Sequence, residues 1–240
     1  MKIKTITGVT KIDDINITKS IGAFIIAVDG LALDQLTTEK ISYHIERANG
    51  SNVVLANKIP LTDYIISSSY GSEAVQSDGT FETIALCEIA YKGGAFLAEK
   101  ESIKLSLDGL DSTKIYEIYG VEEPNQTNVL AFFEQKTVAS EDFSKKIDVK
   151  GYDLAIMTTH ASVQDLSYRF ENGQVVKYLP FELQTLSRDN DPIQAIKSTA
   201  VLQSVPDRLA LPLLHVDEIE INKAQGQVIN FVVRNYKSVE

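Results

Sequence analysis

The sequence predicts an all-β chain made of two tandem β-sandwiches. Three observations lead there. Residues 41–60, ISYHIERANGSNVVLANKIP, have a second copy at residues 166–180, LSYRFENGQVVKYLP. Both copies alternate apolar and polar residues before an Asn-Gly pair, Asn49-Gly50 and Asn172-Gly173, which is the pattern of a half-buried strand entering a hairpin turn. The segments around each copy also recur in the same order, as expected of an internal duplication.

In the first copy Ile41, Tyr43 and Ile45 alternate with Ser42, His44 and Glu46; in the second Leu166, Tyr168 and Phe170 do the same. Asn and Gly supply the positive φ that a tight hairpin turn needs. Val53-Val54 and Val175-Val176 start the return strands, and Pro60 and Pro180 close them, since Pro donates nothing to a ladder. The offset between copies falls from 125 at the tyrosine to 123 at the glycine and 120 at the proline, which predicts a second copy shortened in the turn and in the strand after it.

Taken in order, residues 1–19 read as an N-terminal arm, in which Ile3, Ile6, Val9, Ile12, Ile15 and Ile17 lie among Lys, Thr and Asp; an edge strand fits the same pattern. Residues 20–29 form a buried strand ending at Asp29-Gly30, and residues 31–39 a connection with a helical turn at Leu33 and Leu36. After Pro60, Leu61, Ile65 and Ile66 have helical spacing, and residues 67–80 read as a polar loop. Residues 81–91 are a strand, Gly93-Gly94 a turn, and residues 102–107 and 113–121 a final alternating hairpin about Asp108-Gly109. Residues 122–150 read as the joint between halves, with an apolar patch at Val129, Leu130, Phe132 and Phe133 that a flexible tether would not carry. Residues 151–160 then answer 20–29, and residues 183–199 answer the irregular insert. Residues 208–214 answer 81–91, with Pro212 implying an edge or a bulge. Residues 218–221 and 227–234, about Gln225-Gly226, answer the final hairpin.

Six or seven strands are visible per half. Eight is the number of a jelly roll, two sheets packed face to face. The expected organisation is an arm at 1–19, a first jelly roll at 20–123, a linker at 124–150 and a second jelly roll at 151–240, each jelly roll carrying a short helical insert.

The residues offer no catalytic constellation. His44, His160 and His215 have no metal-ligand spacing; His44 alternates outward and His215 ends a strand. No nucleophile elbow, phosphate loop or dinucleotide fingerprint occurs. Calcium at Asp108 and Asp111, or at Asp189 and Asp191, is open on oxygen chemistry, but the spacing is not diagnostic. Cys87 sits in an apolar run and reads as a buried, inert thiol. The 10 tyrosines, among them Tyr43, Tyr64, Tyr70, Tyr116, Tyr119 and Tyr168, suit sheets, interfaces or sugar platforms alike; the absence of Trp weighs against a lectin. Neither an enzyme nor a cofactor is expected.

Thirty-three acidic residues against 23 basic ones give a net charge of −10, which disfavours a nucleic-acid glove; no specific nucleic acid is expected. No apolar run approaches the ~20 residues of a membrane-spanning helix. The N-terminal residues lack a signal-peptide pattern, which predicts folding in a cytoplasm.

The two Ser-Tyr hairpins, the paired final hairpins and the helical insert after Pro60 resemble the double jelly-roll major capsid proteins of tailless icosahedral viruses, including bacteriophages with an internal membrane. The chain is short for that family and looks most like its compact corticovirus-like and finnlakevirus-like members. The resemblance implies a homotrimer that tiles a viral shell as a pseudo-hexagonal block. It implies as partners neighbouring capsomers and minor capsid or vertex proteins, and a place in the virion after synthesis in the host cytoplasm. The arm at 1–19, with Lys2, Lys4, Lys11 and Lys19 among isoleucines, is the candidate contact with an inner membrane. A two-sandwich binding module, such as a spike, adhesin or carbohydrate-binding protein, is the competing reading.

Overall fold

The computed structural model describes residues 1–69, 75–76, 78–158, 160–189, 194–196, 202–204 and 208–239. The chain divides into two compact units. One comprises Met1–Phe133, Pro192–Val205 and Tyr236–Glu240; the other comprises Glu134–Asp191 and Pro206–Asn235.

In the first half the elements are β1 Lys2–Ile6, β2 Lys11–Ile17, β3 Ile21–Val28, β4 Lys40–Glu46, β5 Asn52–Pro60, α1 Leu61–Ser68, β6 Val75–Gln76, β7 Thr83–Glu88, β8 Gly94–Ala95, β9 Ser102–Asp108 and β10 Tyr116–Glu122. One sheet runs β1-β10-β3-β7-β6 and the other β2-β9-β4-β5. Leaving out the two-residue strands β6 and β8, the eight strands sit first-eighth-third-sixth in one sheet and second-seventh-fourth-fifth in the other. That is jelly-roll wiring.

In the second half the elements are β11 Gln126–Thr127, β12 Val129–Val138, β13 Ser144–Asp148, β14 Leu154–Thr158, β15 Val163–Phe170, β16 Val175–Tyr178, α2 Pro180–Asp189, β17 Gln194–Ile196, β18 Leu202–Ser204, β19 Arg208–Pro212, β20 Val216–Lys223 and β21 Ile229–Ser238. Here β12-β21-β14-β19 and β13-β20-β15-β16 repeat the same two orders. Short β11 pairs with β8, while β17 and β18 extend the first sheet beyond β6. The duplication read from the hairpins therefore covers all eight positions of each jelly roll, and in both a helix follows the fifth strand.

Three expectations need correction. Residues 1–19 are not an arm: β1 pairs with β10 and β2 with β9, and Ile6, Ile15 and Ile17 are buried. Nor are residues 124–150 a bare joint, since β12 and β13 lie there. The two misreadings are one error made twice, because these segments are strands one and two of each jelly roll. The wiring puts both of them at sheet edges, where few side chains meet the core. β13 buries only Ile147, and such a strand leaves little apolar periodicity in the sequence.

The second correction concerns the turns. Both are the same three-residue loop, with Arg47 N–H donating to Ser51 O and Gly50 N–H to Arg47 O, and with Phe170 N–H donating to Gln174 O and Gly173 N–H to Phe170 O. Only the glycines take positive φ, 82° at Gly50 and 83° at Gly173. Asn49 and Asn172 instead accept from the N–H two residues on, at Ser51 and Gln174. The turn is not shortened. The missing residues come from the strands on either side, and β5 also carries a bulge at Lys58, φ 50°, whose N–H donates to the Ser42 hydroxyl.

Third, the segment from residue 183 begins as a helix, α2, where irregular chain was expected. Pro180 opens it in the first-turn position proline tolerates. The predicted loop at 67–80 yields to the end of α1 and to β6; residues 70–74 and 77 lie outside the described residues. The edge expected at Pro212 is present, because β19 ends the sheet order.

Candidate functional site

The aromatic residues build cores. In the first unit Phe24, Tyr43, Tyr64 and Phe133 form a chain of edge-to-face contacts, with centroid separations of 5.5, 5.8 and 4.9 Å. Tyr43 and Tyr64 are fully buried, so desolvation pushes both phenols far above the ordinary tyrosine range. Tyr116 is buried and donates to Glu39, itself buried, at 2.9 Å. Tyr168 is buried in the second unit. Tyr119 bonds Glu117, and Tyr70 lies outside the described residues. A sugar platform needs exposed rings, and the four tyrosines 43, 64, 116 and 168 are spent on packing.

The remaining candidates stay apart. His44 is half-buried on β4; His160 accepts from Ser162 N–H at 3.0 Å; His215 faces Glu171 at 3.1 Å. Asp108 and Asp111 cap their own turns, accepting from Gly109 and from Thr113. The two bonds from Thr113 hold the Asp111 carboxyl below its usual range. Asp191 lies outside the described residues. Among the described residues no group of three or more His, Cys, Asp or Glu is placed to hold a metal. Cys87 is fully buried, and burial pushes its thiol up to about 12, which keeps it protonated at neutral pH. No helix among the described residues is long and apolar enough to cross a membrane.

What the molecule presents outward includes sheet surface that carries ion pairs. On the sheet β13-β20-β15-β16, Glu218 receives Lys146 at 3.5 Å and Arg169 at 3.3 Å, while Lys177 meets Asp165 at 2.7 Å. On the sheet β2-β9-β4-β5, Lys104 meets Glu46 at 3.2 Å and Lys11 meets Asp13 at 2.8 Å. Exposed pairs of this kind contribute little to stability. Large apolar side chains stand out singly, notably Leu214, Phe143 and Phe181, which are 70%, 64% and 63% exposed.

The repeated wiring of the two halves defines a double jelly roll. Solved structures with this architecture match over nearly the full length of both chains. The major capsid protein of bacteriophage PM2 aligns with a TM-score of 0.59 at 10% identity, covering 100% of this chain and 95% of its own. The major capsid protein of Sulfolobus turreted icosahedral virus aligns at 0.55 and 12%, covering 98% and 94%. A chain from the atomic structure of that virus aligns at 0.56 and 11%, covering 98% and 89%. No family model and no curated protein matches the sequence.

Proposed function

We propose that this protein is a major capsid protein, the subunit from which an icosahedral virion shell is tiled. The observation that carries the reading is the end-to-end match, with both sandwiches in order, to capsid proteins of two different viruses. A chance likeness between single sandwiches would leave half of each chain uncovered. The subunit assembles as a homotrimer whose six jelly rolls give a pseudo-hexagonal block, which then meets neighbouring blocks and minor capsid or vertex proteins. Residues 1–17 are tied into the two sheets of the first half, with Lys2, Lys4 and Lys11 exposed, and this segment is the candidate contact with an underlying membrane. The protein acts in the virion, without enzymatic activity and without sequence-specific binding of nucleic acid.

Light scattering after size exclusion tests this. The expected mass is three times the 26.5 kDa subunit, or a larger assembly in multiples of that trimer. A stable monomer at tens of micromolar overturns the trimer and, with it, the capsid reading.

A further inference from the structure

Two asparagines of the chain precede a glycine, Asn49 and Asn172, and each lies at the tip of its half's hairpin. Glycine has no Cβ to shield its backbone nitrogen, so that nitrogen can close a five-membered ring on the side-chain amide before it. Asn49, Gly50, Asn172 and Gly173 are all exposed. A Cβ built on either glycine meets nothing within 4 Å. Water and hydroxide therefore reach both turns freely.

The two turns share their backbone, and each is a control for the other. Gly50 N–H donates to Arg47 O at 2.9 Å, and Gly173 N–H donates to Phe170 O at 2.8 Å. The side-chain oxygen of each asparagine accepts from the N–H two residues on, at 2.9 Å in both copies. One difference remains. The Ser51 hydroxyl also donates to Asn49 Oδ1, at 2.7 Å, so this oxygen accepts two hydrogen bonds. In the second copy the same place holds Gln174, which has no hydroxyl.

We propose that Asn49 is a site of spontaneous deamidation and that the Ser51 hydroxyl makes it react ahead of Asn172. Hydroxide takes the proton of Gly50 N–H, and the nitrogen attacks Asn49 Cγ. As the N–Cγ bond forms, negative charge develops on Oδ1, where both donors already point. The Cγ–Nδ2 bond then breaks. The amide nitrogen takes a proton from water and leaves as ammonia, and Asn49 and Gly50 are joined in a cyclic imide. Water opens the imide at either carbonyl, leaving aspartate or isoaspartate and one added negative charge. A hydrogen bond to an ionised acceptor is about twice as strong as one to a neutral acceptor, and a donor fixed in place beforehand costs no reorganisation. The extra donor is therefore expected to be worth about fivefold in rate. While the imide stands, Gly50 has no N–H to give Arg47 O, and the tip of the first hairpin lacks one of the two bonds that close it. The site is independent of the assembly reading.

The full chain, kept folded at pH 8, is sampled over days and digested with trypsin, which puts Asn49 and Asn172 on separate peptides. Liquid chromatography with mass spectrometry measures the aspartate and isoaspartate formed at each. Asn49 is expected to convert about fivefold faster than Asn172. Ser51→Ala is expected to bring Asn49 down to the rate of Asn172, and Ser51→Thr, which keeps a hydroxyl, to preserve the lead. Gln174→Ser is expected to raise Asn172 toward Asn49. In denaturant, where only local sequence acts, the two are expected to convert at similar rates. Ser51 and Gln174 are exposed, so the substitutions leave the core untouched. Should Ser51→Ala still fail to fold, Gln174→Ser and the comparison with denaturant decide. No conversion at Asn49, equal rates in the folded chain, a faster Asn172, or a lead that survives Ser51→Ala or denaturant overturns the proposal.

Discussion

Tyr43 and Tyr64 meet edge to face, 5.8 Å between ring centroids, and so fasten the first hairpin to the helix that follows it. Neither ring reaches solvent. Through Tyr64 the contact continues to Phe133, 4.9 Å away, so one helix residue joins three rings. Removing it opens a ring-sized hole at the centre of the unit. Tyr64→Ala is expected to cost about 3–5 kcal/mol. Tyr64→Phe, which keeps the ring and loses only a 3.5 Å hydroxyl contact, is expected to cost under about 1 kcal/mol. Urea denaturation of the two variants measures the difference; equal losses would mean that the hydroxyl, not the ring, holds the helix.

Gly109 and Gly173 both take positive φ, 70° and 83°, but in different surroundings. A Cβ at Gly109 would lie 2.2 Å from the Thr38 carbonyl oxygen, whereas one at Gly173 meets nothing within 4 Å. Alanine at Gly173 carries only the left-handed backbone penalty, about 1–2 kcal/mol. Alanine at Gly109 adds the displacement of a backbone carbonyl, for a total of about 3 kcal/mol or more. Thermal melts of the two single variants are expected to rank in that order.

Arg47 and Glu101 form an ion pair at 2.9 Å with side chains 14% and 8% exposed. Burial raises the Glu101 carboxyl, but hydrogen bonds from Ala98 N–H and from Arg47 outweigh it, and the net shift is downward. A carboxylate held low in the folded state stabilises at pH values above its unfolded value, about 4.3. That stability is lost as the pH falls through the lower folded value. Glu101→Gln is therefore expected to lower Tm at pH 7 and to differ less from the parent at pH 3. A gap that stayed constant between the two pH values would show that the carboxylate's charge has no part in holding the loop to the hairpin.

Cys87 tests the packing of β7 without any substitution. A thiol pushed up to about 12 inside a fully buried strand offers almost no thiolate at pH 8 and no path for a reagent. A disulfide reagent is expected to leave the native chain unmodified over hours and to titrate one thiol at once in denaturant. Fast labelling of the native chain would show that β7 opens.

How much of this was legible follows from where each strand sits. β3 and β14, third in their jelly rolls, lie between two neighbours and bury side chains on both faces. The unbroken apolar text of residues 21–28 and 154–157 announced them. β4 and β15 carry one apolar face, and their alternation announced them too. Strands one and two are edges, and β2 buries only Ile15 and Ile17 of its seven residues. No periodicity rule recovers a strand whose partners are known only from topology. The core role of Tyr43 was hidden for a related reason, since the sequence fixes its alternation but not which rings from α1 and the opposite sheet complete its shell.

Deletion of residues 1–19 separates the two readings of that segment most directly. A free arm can be removed without harm to the fold, and only assembly would suffer. In this structure the deletion takes strands one and two from the first jelly roll. β10 would lose its pairing with β1 and β9 its pairing with β2, and two sheets would be left with bare edges. Ile6, Ile15 and Ile17 would leave the core, and each fully buried aliphatic side chain contributes about 1.5–3 kcal/mol relative to exposure. Against a total stability of about 5–15 kcal/mol for a domain, the loss of three such side chains and two ladders is expected to unfold the first half. Circular dichroism and solubility of the truncated chain measure this. A soluble, cooperatively melting truncation that still trimerised would restore the arm and refute the strand assignment.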